Sequence, residues 1–339
     1  MKRINRLNIQ TIAEVGVNHN GKLSYAKKLI DAAKDCGATF VKFQIYETSA
    51  LTTEYAKKTE YQKKNEGKKG SQFQMLKKYE FSFEQFQILK NYCKKRNIKF
   101  LASAFDLESL KKMRKLKLNT YKIPSGEITN IPYLELLASF KKNVILSTGM
   151  ASIKEIQASI KVLTKNGLKK KQIILMQCTS NYPTKMDQVN LNVLQYYKKK
   201  FKLKLGFSDH TAEIETPLFA IFNGARIIEK HITLNKNMKG PDHKASLDVK
   251  EFAKMIKNID NFKLSLRKTK KNPNNEEIKN SILVRKSIVA KKNIKKGEVY
   301  SQNNITCKRP GTGILPSKFN GLLNKKSNRN YQKDDLITS

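Results

Sequence analysis

Histidine and cysteine are scarce in this chain, four of each among 339 residues. Cys36, Cys93, Cys178 and Cys307 form no CxxC pair and keep no regular spacing. That argues against a disulfide framework or a cysteine zinc site, and it suits a reducing, cytoplasmic compartment. No apolar run approaches the about 20 residues that a membrane helix needs, so no membrane partner is expected. The basic opening Met1-Lys-Arg-Ile-Asn5 is followed by no apolar segment, so no signal peptide is expected. Acidic residues are also few, 28 against 68 Lys and Arg, for a net charge of +40. The excess is nearly all lysine and is spread over every expected helix. Nucleic-acid binders more often cluster charge on one face with stacking aromatics or arginines, so no nucleic-acid partner is expected. The positive field would still attract anionic substrates.

An apolar fraction of 39% can build a sizeable core. Short apolar runs alternate with segments of helical length. Strands are expected at 10–15, 40–44, 99–102, 120–123, 143–146, 172–176, 204–206 and 225–228. Helices fall between them, several opened by a capping serine (Ser24, Ser82, Ser152). A last helix is expected over 248–266. Eight strands alternating with eight helices are the signature of a closed (β/α)8 TIM barrel. A doubly wound sheet is the competitor, but no Gly-x-Gly-x-x-Gly follows the first strand. The lysine-rich stretch 48–81 reads as a long loop, functional or mobile. Residues 268–281 read as a polar linker. From 282 to 339, short strands and turns suggest a small, mostly β domain, with a strand over 282–290. The expected domains are therefore 1–267 and 282–339.

The centre of the barrel unit is Gly206-Phe-Ser-Asp-His-Thr211 and its echo Glu229-Lys-His-Ile-Thr233. His210 and His231 follow neighbouring strands, which lie about 4.8 Å apart when parallel. Two imidazoles there could meet at one divalent transition metal. The plainer alternative is that both cap strands through backbone hydrogen bonds. His19 reads as a turn residue with a supporting or solvent contact, and His243 as lying near the barrel mouth. Cys178 has no base beside it and reads as an ordinary buried cysteine.

Barrel chemistry leaves the C-terminal strand ends. There the chain offers Glu14, Lys42, Gln44, Ser103, Lys122, Ser125, Glu127, Ser147, Ser180, Tyr182, Ser208, His210 and His231, with Asp242 in the loop after the eighth strand. Two lysines with hydroxyls and backbone N–H groups suit a phosphate or carboxylate. Glu14 or Glu127 could move a proton or hold a sugar hydroxyl. Lys42 and Lys122 have a plainer alternative, burial in ion pairs with those glutamates.

Together, Ala13-Glu-Val-Gly-Val-Asn-His-Asn-Gly21, Val41-Lys-Phe-Gln44, Tyr121-Lys-Ile-Pro-Ser-Gly-Glu127, Leu146-Ser-Thr-Gly-Met150, Cys178-Thr-Ser-Asn-Tyr-Pro183, the two histidine segments and Gly240-Pro-Asp242 resemble the sialic acid synthases. Lys308-Arg-Pro-Gly-Thr-Gly313 resembles their C-terminal antifreeze-like (SAF) domain. The resemblance implies condensation of phosphoenolpyruvate with N-acetylmannosamine, or with a diacetamido-trideoxy sugar leading to legionaminate. Its products would be a nine-carbon 2-keto acid and phosphate. By motif it assigns Lys42, Lys122, Ser125, Ser147 and Ser208 to phosphoenolpyruvate, with Ser103 (where a Thr is familiar) and Ser180 (where some members have Asn) as further substrate-binding positions. Glu14, Gln44, Tyr182 and Asp242 go to the sugar, and Glu127 to the reacting centre. It implies a divalent metal (Mn2+, Mg2+ or Co2+) on His210 and His231. It also implies a homodimer with swapped SAF domains, in which Arg309 reaches the other subunit's sugar site.

Overall fold

A computed structural model describes residues 8–266 and 270–338. The chain divides into two compact units, 1–267 and 268–339. The boundary expected at 267/268 itself lies outside the described residues, as do 1–7 and 339.

The first unit is a closed parallel barrel. Its strands are β1 (Gln10–Gly16), β2 (Phe40–Ile45), β3 (Lys99–Ala104), β4 (Thr120–Ile123), β5 (Asn143–Ser147), β6 (Ile173–Cys178), β7 (Lys204–Asp209) and β8 (Ile227–Thr233). Each pairs with the next, and β8 pairs back onto β1, with Glu14 beside His231. A two-residue strand, β9 (Leu247–Asp248), adds to β8. Between the strands run α1 (Leu23–Asp35), α2 (Thr48–Leu51), α3 (Glu60–Glu66), α4 (Gln72–Lys77), α5 (Phe83–Lys95), α6 (Leu107–Arg114), α7 (Ile131–Ala138), α8 (Ile153–Lys165), α9 (Val193–Phe201) and α10 (Thr216–Phe222), and α11 (Val249–Ser265) follows β9. Ser82 and Ser152 cap α5 and α8 as expected, each accepting an N–H from three residues on. Ser24 does not cap α1, which already starts at Leu23 after Lys22.

Side chains alternate along each strand, so every second residue faces into the barrel. Ile12, Leu101, Ile145, Met176 and Ile227 fill its middle. Gly206 makes room there, since a Cβ at its position would lie 2.9 Å from Met176 Cε. A larger core between strands and helices includes Val41, Phe43, Leu89, Tyr133 and Phe252. One step above the apolar layer the inward residues become polar and charged, at the C-terminal strand ends.

The stretch 48–81 is not a plain loop. It carries α2, α3 and α4, and the last two open with capping boxes, Thr59 with Gln62 and Ser71 with Gln74. Tyr46, Met75 and Tyr79 form a small apolar cluster that seats it on the barrel.

In the second unit, the expected linker is partly helical. Asn274 caps α12 (Asn275–Val284), with Glu277 completing the box. The strand expected over 282–290 shortens to β10 (Ser287–Ala290), antiparallel to β11 (Ile305–Lys308). Ile288, Ile294, Tyr300, Ile305, Tyr331 and Ile337 make this unit's own core. Among the described residues, no helix is long and apolar enough to cross a membrane.

Candidate active site

The polar layer is organised around four buried charges from four strands. Lys42 Nζ lies 2.8 Å from Glu14 Oε2 and 3.7 Å from Glu229 Oε2. Lys122 Nζ lies 3.0 Å from Glu229 Oε1. Ser208 Oγ donates to the same Oε1 at 2.9 Å, and Gln44 Nε2 donates to Glu14 Oε1 at 3.1 Å. Burial alone would raise the Glu229 carboxyl, but Lys122 and Lys42 outweigh it and hold the group down at about 2. Glu229 is thus a fixed anion between two cations. The plainer alternative for the lysines is met in part: Lys42 does pair with Glu14, whereas Lys122 pairs with Glu229 and not with Glu127.

Glu229 was not among the residues singled out for chemistry. Period-two alternation along β8 puts it on the inward face with Ile227 and His231, and that signal could have found it.

Around this set lies a cavity of about 400 Å³. Glu14, Lys42, Gln44, Lys122, Ser125, Ser147, Ser180, Tyr182, Ser208, His210, His231 and Asp242 all line it. Ser103 does not; it sits fully buried behind Lys42, 3.5 Å from its Nζ. Glu127 also stays outside the lining, in the short 3-10 turn after β4, where its carboxylate accepts from Asn130 Nδ2 at 2.6 Å. Arg309 is exposed within the second unit.

Two features mark where a ligand would bind. Ser147 Oγ and His231 Nδ1 are buried polar atoms with no hydrogen-bond partner. Such atoms are rare in folded proteins, and here both belong to residues that line the cavity. The turn Ser147-Thr-Gly-Met150 also forms a small cradle. The Gly149 N–H donates to Ser125 Oγ at 3.0 Å. A Cβ at Gly149 would lie 2.3 Å from Ser180 Oγ and 2.7 Å from Ser125 Oγ. Only glycine lets these hydroxyls converge on the backbone.

The two histidines take different environments. His210 Nδ1 is 2.6 Å from the Thr179 carbonyl oxygen, so it carries the proton and leaves the Nε2 lone pair toward the cavity. Tyr182 Oη is 3.2 Å and Ser208 Oγ 3.3 Å from that Nε2. The backbone cap thus holds for His210 and fails for His231. Burial lowers His210 to about 4 and pushes His231 well below the usual range, so both rings are neutral. Their centroids are 5.7 Å apart. Neutral imidazoles, each with an unprotonated ring nitrogen, suit a divalent transition metal, which at His210 would displace the Tyr182 hydroxyl from Nε2. Among the described residues no third His, Cys, Asp or Glu completes a protein cluster. The donor set therefore fits a metal that completes its shell from substrate and water.

The other two histidines are structural. His19 is buried, stacked on Phe81 at 4.0 Å, and not solvent-facing. His243 is fully buried between Thr233 and Asn20. Cys178 does line the cavity, 3.2 Å from Ser125 Oγ.

A further part of the lining comes from 48–80, read from the sequence as a long loop, functional or mobile. Tyr61 packs on Tyr182 at 5.1 Å, and Leu51, Met75, Leu76 and Tyr79 add apolar surface. Asn65 Nδ2 donates to the Pro241 carbonyl at 2.6 Å, fastening α3 to the loop that carries Asp242.

Burial and then Glu14 push the Asp242 carboxyl up to about 7. The folded state thus holds a proton that the unfolded chain releases near pH 4. Asp242 costs stability increasingly from there to about pH 7, and fully above, on the order of 4 kcal/mol. Asp242→Asn should therefore melt higher than the parent at pH 8, with the gap closing toward pH 4. Equal melting curves at pH 8 would show that this carboxylate is well solvated.

The NeuB family model matches residues 29–271 and the SAF domain model residues 285–339. The N,N'-diacetyllegionaminic acid synthase of Campylobacter jejuni is 47% identical over 326 residues, covering 96% of this chain and 98% of that protein. The human N-acetylneuraminate-9-phosphate synthase is 33% identical, covering 96% of this chain and 90% of that protein. Among solved structures, the N-acetylneuraminic acid synthetase of Leptospira borgpetersenii in complex with citrate superposes with a TM-score of 0.70 at 33% identity, covering 81% of this chain and 90% of that one. The NeuB model covers most of the barrel unit and the SAF model most of the second, and the chain belongs to the NeuB family: it is a phosphoenolpyruvate-condensing synthase of nonulosonic acids with an SAF domain.

Proposed function

We propose that the sugar substrate is a 2,4-diacetamido-2,4,6-trideoxymannose, condensed with phosphoenolpyruvate to give N,N'-diacetyllegionaminate and phosphate. The observation that carries this reading is the composition of the cavity. Beside the charged Lys42, Lys122 and Glu229, it is lined by the apolar Leu51, Met75 and Leu76 and by Tyr61 and Tyr79, with Thr59, Gln62 and Gln72 among them. A 6-deoxy sugar with two acetyl groups presents more apolar surface to such a lining than N-acetylmannosamine does. The 47% and 39% identities to legionaminic acid synthases, against 33% to the human N-acetylneuraminate-9-phosphate synthase, support the same choice. N-acetylmannosamine, the first expectation from the sequence, is the second reading, supported by the Leptospira structure.

In this reading Lys42 and Lys122 hold the carboxylate and phosphate of phosphoenolpyruvate as charge-assisted donors. Ser147 and Ser208 add hydroxyls, and the Ser125, Ser180 and Gly149 cradle adds further polar contacts. Ser103 orients Lys42. Gln44, Tyr182 and Asp242 address the sugar, and Glu127 braces the turn after β4. A divalent cation on His210 and His231, Mn2+ or alternatively Mg2+ or Co2+, would supply Lewis-acid polarisation of the aldehyde oxygen. C3 of phosphoenolpyruvate bonds to the aldehyde carbon, and the Glu14 and Glu229 carboxylates stabilise the positive charge that develops at C2. Glu14 takes the proton of the water that adds to C2. Glu14 passes that proton to the alkoxide left at the former aldehyde; the bond from C2 to the bridging phosphate oxygen then breaks, and phosphate leaves into the lysine cradle with the C2 hydroxyl proton, leaving the 2-keto group.

The test is phosphate release from phosphoenolpyruvate with a panel of six-carbon amino sugars. The diacetamido sugar should give the highest kcat/KM; a preference for N-acetylmannosamine would favour the second reading.

The same reading includes a homodimer in which Arg309 serves the sugar site of the partner subunit. The resemblance of Lys308-Arg-Pro-Gly-Thr-Gly313 to the antifreeze-like domain and the exposure of Arg309 support it. Arg309→Ala and His231→Ala chains, unfolded and refolded together, should regain roughly a quarter of parental activity, because each mixed dimer has one intact site. If Arg309 acts in its own subunit, mixing recovers nothing.

A further inference from the structure

The opposite, N-terminal end of the barrel holds a second and larger hollow, about 820 Å³, a size common for small-molecule sites. It is built from the first residues of the strands, so the alternation that points polar groups into the active site also sets its lining. The floor is the lower apolar layer, with Phe40, Ile145, Ile174 and Ile227. The rim carries Lys90, Lys94, Lys99, Lys117, Lys171 and Lys204, and no aspartate or glutamate lines the hollow. None of these six lysines forms an ion pair among the described residues. Lys90 Nζ is turned to the Leu116 carbonyl, 2.7 Å away, and Lys99 Nζ lies 5.3 Å over the Phe40 ring. The others are exposed.

Lys42 and Lys122 sit among buried carboxylates in the active site, whereas the six rim lysines have no carboxylate beside them in the lining. Here they surround a concavity with an apolar, partly aromatic floor. Like charges gathered over low-dielectric surface focus their field inward and favour a multiply charged anion. The floor suits something a bare anion lacks, a flat apolar group that takes the place of Lys99 over Phe40 and lies against Ile174. We infer that this hollow binds a nucleoside triphosphate, with the base on the floor and the phosphates on the lysine rim. Ile12, Leu101, Ile145 and Met176 fill the barrel between the two cavities, so such a ligand would not touch the reacting groups.

The experiment is isothermal titration of the full-length protein with ATP, and with inorganic tripolyphosphate as a second arm, at low and at physiological salt. Phosphoenolpyruvate is held saturating so that the active site is filled. The Lys99→Ala/Lys204→Ala double variant is titrated alongside; both side chains are exposed at strand starts, and neither belongs to the active site. ATP should bind more tightly than tripolyphosphate and weaken as salt rises. The double variant should lose at least about tenfold in affinity, from two charge-assisted contacts, while its phosphate-release kcat/KM stays parental. No ATP binding at low salt, equal affinity of parent and variant, or tripolyphosphate binding as tightly as ATP would each overturn the assignment.

Discussion

Lys122→Ala should lower kcat/KM for phosphoenolpyruvate by about 100- to 1,000-fold, the usual cost of removing one preorganised donor from a charge-stabilising site. The KM for the sugar should move little, because a neutral aldehyde gains less than an anion from the ammonium. Stability should fall too. Lys122 is the nearer cation to Glu229, and removing one partner of a buried pair typically costs about 3–5 kcal/mol. Glu229 keeps Ser208 and the more distant Lys42, which places the loss at the low end of that range. A full kinetic comparison with both substrates varied checks the first claim, and a denaturant melt the second. Unchanged phosphoenolpyruvate kinetics would put Lys122 in a purely structural pair.

His231→Ala should abolish turnover and also abolish any metal-dependent gain in thermal stability. In the parent, Mn2+ at 100 times its Kd should stabilise the fold by about 2.7 kcal/mol, since it binds the native state only. In a barrel of this size that is a rise in Tm of roughly 5 °C. His231 Nδ1 has no protein partner to lose, so removing the ring leaves no donor or acceptor stranded elsewhere. Differential scanning calorimetry with and without Mn2+ reads the effect without any assay of activity. A variant that keeps the parental Tm shift would take His231 out of the metal site. Exhaustive chelation of the parent should stop turnover, and added Mn2+, Mg2+ or Co2+ should restore it.

The barrel was legible because each strand is a short apolar run and most helices carry a cap or a glycine stop. The histidine pair was legible because β7 and β8 are consecutive, and consecutive parallel strands are neighbours. What escaped depends on contacts across the barrel. Lys122 and Glu229 are 107 positions apart, on strands separated by half the circumference, and only closure brings them to 3.0 Å. Glu127 lay nearer in the chain and drew the pairing, yet it follows the turn after β4 outward to Asn130. The stretch 48–81 misled through composition. Its lysines face water except Lys58, whose buried Nζ donates to the Gly67 and Lys69 carbonyls, while the capping boxes at Thr59 and Ser71, visible in the sequence, start the helices that bring Tyr61 and Met75 to the cavity. At 282–284, Ile-Leu-Val reads as strand by propensity, but the Asn274 cap ten residues upstream keeps the chain helical.

The most direct measurement is an internal competition. Enzyme, phosphoenolpyruvate and an equimolar mixture of 2,4-diacetamido-2,4,6-trideoxymannose and N-acetylmannosamine are incubated with Mn2+, and phosphate and products are quantified together, the latter by mass spectrometry. The ratio of the two nine-carbon 2-keto acids is the ratio of kcat/KM values. The site described above predicts N,N'-diacetyllegionaminate in large excess, with one phosphate released per product. An excess of N-acetylneuraminate would contradict the proposed substrate, and product formed without phosphate release would contradict the reaction itself.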